Sequence, residues 1–234
     1  MSTTTPAAVR PGQAAYDDQA DQADQADQVN QQLPSSNPLD RSDPRVPAVT
    51  RQGMVILLNG TSSSGKSSIA AELLEILDDT WFHLPVDAVH AMRSQREISD
   101  EDLPAELVRT SMGFHRAVAG MAAAGNNVVV DHVLSFAWRL SDCLDLLDPE
   151  RVVFVGVRCP LEETVAREAA RGDRPVGQAA SQFDQVHAHG DYDLEVDTSV
   201  MSPRQCAERV REHLSHRASP TAFSRLRSGR TVRT

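Results

Sequence analysis

Short unbroken apolar runs recur along the chain, separated by longer stretches whose apolar positions fall three and four residues apart. The runs are Met54–Leu58 (MVILL), Phe82–Val86, Asn127–Val130 (NVVV) and Arg151–Val157 (RVVFVGV). Their lengths suit strands, and the lack of a polar alternate face says that both faces are covered. Leu194–Val196 is a candidate fifth, short strand. Between the runs, Ile69, Leu73, Leu74 and Leu77 form one helical stripe over residues 67–77. Leu107, Phe114, Val118 and Met121 form another, on a helix expected from near Asp102, with Pro104 in its first turn, to Gly125. Further helices are expected over residues 136–147, 161–171 and 203–214. Buried strands alternating with helices predict an α/β fold: a parallel sheet flanked by helices, with its ligands at the carboxyl ends of the strands.

The first fifty residues lack this pattern. DQADQADQADQ (Asp18 to Gln28) repeats a three-residue unit whose only apolar member is Ala, and four prolines follow between Leu33 and Val49. Such segments bury too little apolar surface to offset chain entropy. The expected organisation is a disordered leader over 1–51, a folded domain over 52–216 and a disordered, arginine-rich tail over 217–234. The net charge of −10 is divided as −4 over residues 1–50, −11 over 51–214 and +5 over 215–234. An acidic domain argues against a general nucleic-acid binder. No apolar run is long enough to span a bilayer and MSTTTPAAVRPG holds no apolar signal core, so a cytoplasmic protein is expected. The three cysteines, Cys143, Cys159 and Cys206, form no CxxC pair and read as reduced, buried thiols.

The chain has 22 arginines and one lysine, Lys66. That lysine sits in Gly60-Thr61-Ser62-Ser63-Ser64-Gly65-Lys66-Ser67, a full match to G-x-x-x-x-G-K-[ST] between an expected strand and an expected helix. Such a loop aims backbone N–H groups at a phosphate, and the helix adds its positive end. Residues Gly60 to Ser68 are therefore the candidate nucleotide site, with Lys66 reaching the β- and γ-phosphates and Ser67 placed for Mg²⁺. A slim ammonium suits that place; the flat fork of arginine does not. The hydrolase elbow G-x-S-x-G is excluded because position 64 is Ser64. HExxH is absent, as are H-R-D and D-F-G, and a guanine-reading Asn-Lys-x-Asp needs a second lysine. His187 and His189 could bind a metal, but two solvated histidines are the simpler reading.

Two carboxylates end expected strands, Asp87 in HLPVDAVHAM and Asp131 in NVVVDHV. Transfer of a phosphoryl group to an alcohol needs one group to receive or orient the hydroxyl proton and another to hold Mg²⁺. Asp87 is assigned to the first task and Asp131, on a Walker-B-like strand, to the second; each could instead cap a helix. In REAARGDRPVGQA, Arg167 and Arg171 share a helical face and Arg174 follows; these arginines are candidates to neutralise the transferring phosphoryl group from a lid, with local ion pairing to Glu163 and Asp173 as the alternative. Val89, Met92, Met112, Phe136 and Trp138 offer a candidate apolar wall for the acceptor.

Taken together, ILLNGTSSSGKSS, VDAVHAM, VVVDHV, VFVGVRC, ARGDRPVGQAASQ…VH and YDLEVDTS resemble the chloramphenicol 3-O-phosphotransferase family over about residues 54–214. The resemblance implies a five-stranded parallel sheet of the shikimate and adenylate kinase type. It also implies ATP and Mg²⁺, and transfer of the γ-phosphoryl to a small-molecule alcohol, with Asp87 as the base and Arg171 and Arg174 in the lid. Residues 88–109 are shorter and more charged than in that family, and His132 stands where a second acid is usual. Chloramphenicol, another hydroxylated antibiotic and a sugar are all open as acceptors. A nucleotide-binding regulatory protein is the alternative from another functional class.

Overall fold

The computed structural model describes residues 51–94, 96–171 and 177–231, all within a unit spanning Val49–Thr234. Five parallel strands form one sheet in the order β2-β3-β1-β4-β5, with β1 Val55–Asn59, β2 Trp81–Pro85, β3 Asn127–His132, β4 Val152–Arg158 and β5 Leu194–Asp197. The central β1 places Leu57 beside Val130 on one flank and Phe154 on the other. Successive residues of a strand face opposite sides. Val55, Leu57, Val128, Val130 and Phe154 therefore enter one core, and Ile56, Leu58, Val129, Val153 and Val155 the other.

The helices are α1 Lys66–Ile76, α2 Val86–Ala91, α3 Leu103–Ala123, α4 Ala137–Leu146, α5 Leu161–Arg171, α6 Gln178–Val186, α7 Pro203–Ser215 and α8 Ala222–Thr231. Phe114 and Val118 of α3, Leu140 and Leu144 of α4 and Phe223 of α8 seal the first core. Ile69 and Leu73 of α1 with Cys206 and Val210 of α7 seal the second. All three cysteines are free and buried, and no helix of the described residues is long and apolar enough to cross a membrane.

Two expectations need correction. The first is the tail. Residues 222–231 form a helix whose Phe223 is 0% exposed and meets Phe154 edge-on, with ring centroids 5.2 Å apart. Asp193 Oδ1 accepts from Ala222 N at 2.6 Å, Arg225 pairs with Asp191 at 2.5 Å, and Arg230 pairs with Asp145 at 3.0 Å. Phe223 with Ala222 and Leu226 supplies the apolar anchor, and acids on the domain take up Arg225 and Arg230. The second concerns Asp87. The strand before it ends at Pro85, so Asp87 lies in the first turn of α2 rather than at a strand end.

Candidate active site

The loop after β1 turns so sharply that two of its residues have to be glycine. A Cβ on Gly60 would lie 2.5 Å from the Val157 carbonyl oxygen. Gly65 has φ 93°, a left-handed conformation, and serves as the N-cap of α1. Thr198, just past β5, steadies the loop from outside: its Oγ1 donates to the Ser64 carbonyl at 2.9 Å. Arg167 of α5 in turn donates to Thr198 Oγ1 at 3.0 Å and to the Thr198 carbonyl at 2.9 Å, while it pairs with Glu163. The Ser62 N–H donates to Gln182 Oε1 of α6 at 2.9 Å.

Lys66 is buried, donating to the Thr61 carbonyl at 2.7 Å, and lies 3.8 Å from Asp131 Oδ1. Ser67 donates to Asp131 Oδ2 at 2.5 Å. Parallel pairing of β1 with β3 brings Asp131 to the loop, because it sets Asp131 beside Leu58 in register. A hydroxyl and a carboxylate side by side form the hard oxygen donor set that suits Mg²⁺.

Lys66, Ser67, Asp87, Asp131, Arg167 and Arg171 all line one cavity of about 400 Å³. Of the residues singled out from the sequence, Gly60 and Thr61 shape the loop from behind. Ser62, Ser63, Gly65 and Ser68 face the cavity, and the buried Ser64 offers its carbonyl to Thr198. Arg174 lies outside the described residues. Arg171 ends α5, exposed, at the cavity rim.

A second cavity of about 960 Å³ continues from the first through Ser62, Val86, Asp87 and Val133. Its lining departs from the expected apolar wall. Of that set only Phe136 lines it; Met92 is 72% exposed outside it and Val89 packs on the first core. In their place stand His90, Arg93, Arg139, Ser111 and Gln182. The short α2 turns Met92 outward and leaves His90 facing the cleft. Behind it, His132 Nε2 meets His115 Nε2 at 2.9 Å, and His115 Nδ1 lies 2.7 Å from Asp142, which also pairs with Arg116 at 3.1 Å. With His115 donating to Asp142, its Nε2 accepts from His132. Burial holds His132 well below the ordinary histidine pKa, and the charges of His115, Arg139 and Lys66 add to this. Both rings are therefore kept neutral near pH 7.

The histidines expected to be solvated are not. His187 Nδ1 lies 2.5 Å and His189 Nε2 3.0 Å from the Tyr192 hydroxyl, which also accepts from Asn59 Nδ2 at 2.8 Å. Asn59 Oδ1 accepts from Leu134 N at 2.9 Å, tying the start of the loop to the segment after β3. No group of three or more His, Cys, Asp or Glu among the described residues could hold a metal. Thr198, Gln182, Arg93 and Arg139 escaped the sequence reading. Thr198 lies within YDLEVDTS, so a signal for it existed without a role attached.

The sequence profile of the chloramphenicol phosphotransferase-like proteins matches residues 53–215. A Mycobacterium tuberculosis protein provisionally named an O-phosphotransferase is 30% identical over 199 residues, 75% of this chain and 88% of its own. Among solved structures, the M. tuberculosis APS kinase CysC in complex with AMPPNP and APS aligns at a TM-score of 0.55 and 18% identity, over 70% of this chain and 99% of that one. A sugar kinase from Janibacter aligns at 0.54 and 20%, over 70% and 95%. These two share the fold.

Proposed function

This chain belongs to the chloramphenicol phosphotransferase-like family of P-loop phosphotransferases, and from that premise we propose that it transfers the γ-phosphoryl group of ATP to a hydroxyl of a small molecule. One observation carries the reading: Asp87, a carboxylate outside the phosphate loop, shares a cavity with Lys66 and Ser67 and also borders the adjoining cleft. A nucleotide switch has no use for such a group, which is why the regulatory alternative is set aside.

The residues divide the work. Backbone N–H groups of residues 60–68 and the N-terminus of α1 cradle the β- and γ-phosphates. Lys66 moves from the Thr61 carbonyl to the phosphates, and as a buried cation it stabilises charge developing on the transferring group. Ser67 and Asp131 would hold Mg²⁺, which supplies further charge neutralisation at the phosphates. Asp87 accepts the hydroxyl proton as the acceptor oxygen bonds to the γ-phosphorus and the bond to the bridging oxygen breaks, releasing ADP. Arg171, at the cavity rim, is placed to neutralise charge on the phosphates, and the same role is proposed for Arg174. Chloramphenicol, named in the family's description, is the reference acceptor through its primary hydroxyl, and its phosphorylation would inactivate the antibiotic. A reaction that consumes ATP is expected in the cytoplasm.

Substitution separates these roles. Asp131→Asn should raise the Mg²⁺ concentration needed for half-maximal rate. Lys66→Ala should lower kcat by roughly 10²–10³ while circular dichroism stays unchanged. A Lys66→Ala protein that keeps more than a tenth of wild-type kcat would refute the role given to the lysine.

A further inference from the structure

The cleft beside Asp87 holds two guanidinium groups whose hydrogen bonding is incomplete. Arg93 follows α2, and its Nη1 is buried with no hydrogen-bond partner among the described residues. Arg139 lies in α4; it donates to the Val133 carbonyl at 3.0 Å and to Ser135 Oγ at 3.4 Å, and its buried Nε has no such partner. Neither guanidinium reaches a carboxylate among the described residues. Elsewhere on the domain Arg116, Arg158, Arg167 and Arg225 each lie against an acid. Arg139 also lies over two rings, its guanidinium carbon 5.1 Å from the Phe136 centroid and 5.7 Å from that of Trp138. Stacking of this kind holds a guanidinium in one orientation and leaves its edge donors to a ligand.

The local field agrees. Burial holds His90 below the ordinary histidine pKa, the Asp87 carboxylate opposes this, and the charges of Arg93 and Arg139 add to it. The four groups therefore sense one another. Asp87 is the one acid among the described residues lining this cleft, against two arginines, in a chain whose net charge is −10. A half-buried cation without a counter-charge is costly, and an oxyanion meets the fork of arginine with two parallel hydrogen bonds.

We propose that the acceptor is an alcohol that also carries an oxyanion, a carboxylate or a phosphate monoester, held by Arg93 and Arg139 while its hydroxyl faces Asp87. The proposal rests on the phosphotransferase reading above and narrows its acceptor class. A neutral aromatic alcohol would leave both guanidiniums in the cleft with no paired carboxylate among the described residues. The oxyanion takes no part in the reaction: the hydroxyl proton still passes to Asp87 and ADP still leaves.

The test uses the full chain, γ-labelled ATP, Mg²⁺ and matched acceptors: glycerate against glycerol, gluconate against glucose, glycerol 3-phosphate, and chloramphenicol. Label should appear on a charged member with kcat/KM about 10- to 150-fold above that of its neutral counterpart, the range that hydrogen bonds to a charged group span. In Arg139→Gln and Arg93→Gln that preference should shrink about tenfold through KM, and Arg139→Lys should restore part of it. Equal or better use of the neutral members, chloramphenicol included, would overturn the proposal. A second readout is independent of turnover. In a Trp81→Phe background, Trp138 fluorescence should respond to the charged alcohols and not to the neutral ones, and the response should vanish in Arg139→Gln. A fluorescence response without any labelled product would uphold the oxyanion site and remove the phosphotransferase reading. A response to no charged member would remove the site.

Discussion

Glu168→Gln replaces a carboxylate by an amide of the same shape at a position 1% exposed to solvent. Each carboxylate oxygen accepts one backbone N–H from the start of α6, Gly177 N at 2.8 Å and Ala179 N at 2.9 Å. The negative charge also faces the positive end of that helix. Glutamine retains one acceptor, so one bond survives in a weaker, neutral form. Its NH₂ then points at the second N–H, leaving donor against donor in a buried place. Loss of charge assistance and one unsatisfied buried N–H together cost about 2–4 kcal/mol. The damage should be local, because Glu168 joins α5 to α6 across the segment that carries Arg174. Hydrogen exchange of the amides in 178–186 should quicken by roughly 30- to 1000-fold, as that free energy requires. Because Gln182 of α6 accepts from the Ser62 N–H, the KM for ATP should rise as well. If exchange over 178–186 and the KM for ATP both stay within twofold of wild type, Glu168 is not what holds α6 against the loop.

Three further outcomes are expected. Phe223→Ala should destabilise the domain by about 3–5 kcal/mol, the usual cost of emptying a buried phenylalanine site, and lower Tm by roughly 10 °C; an unchanged Tm would mean that α8 is not part of the core. Acid should destabilise the protein below pH 6.5, because burial depresses His187 to about 4 and holds His115, His132 and His189 low. The unfolded chain then binds more protons than the folded one, so stability present above pH 6.5 is lost as pH falls towards 4; denaturant midpoints that stay level from pH 7 to 4.5 would contradict this. Thr198→Val keeps the shape but removes the hydroxyl that joins Arg167 to the Ser64 carbonyl, leaving Arg167 its bond to the residue 198 carbonyl, and should raise the KM for ATP several-fold, read by initial rates.

Strands β1, β3 and β4 were legible because a parallel strand covered on both faces must be apolar at every position, and MVILL, NVVV and RVVFVGV carry that mark. The phosphate loop was legible because its glycines and lysine answer a geometric demand that leaves few alternatives. Helix α8 was not: Ala222, Phe223 and Leu226 make too short a stripe to stand out among arginines and serines, and its ion pairs reach acids at Asp145 and Asp191, far away in sequence. The acceptor cleft was hidden for a similar reason. Arg93 and Arg139 line one cleft because β2 and β3 are neighbours whose following segments rise at the same end of the sheet. The six-residue α2, which sends Met92 to the surface, had no stripe by which to be seen.

The account's central claim is that Asp87 takes the acceptor proton while the loop holds ATP. Label transfer from γ-labelled ATP, followed beside ADP release in wild type and Asp87→Asn, tests it most directly. The wild-type protein should form one phosphomonoester per ADP released, only when an acceptor is present. Asp87→Asn should slow transfer by about 10²–10⁴ with the affinity for ATP within twofold of wild type. An Asp87→Asn protein that transfers label at more than a tenth of the wild-type rate, or ADP release that ignores the acceptor, would contradict the account.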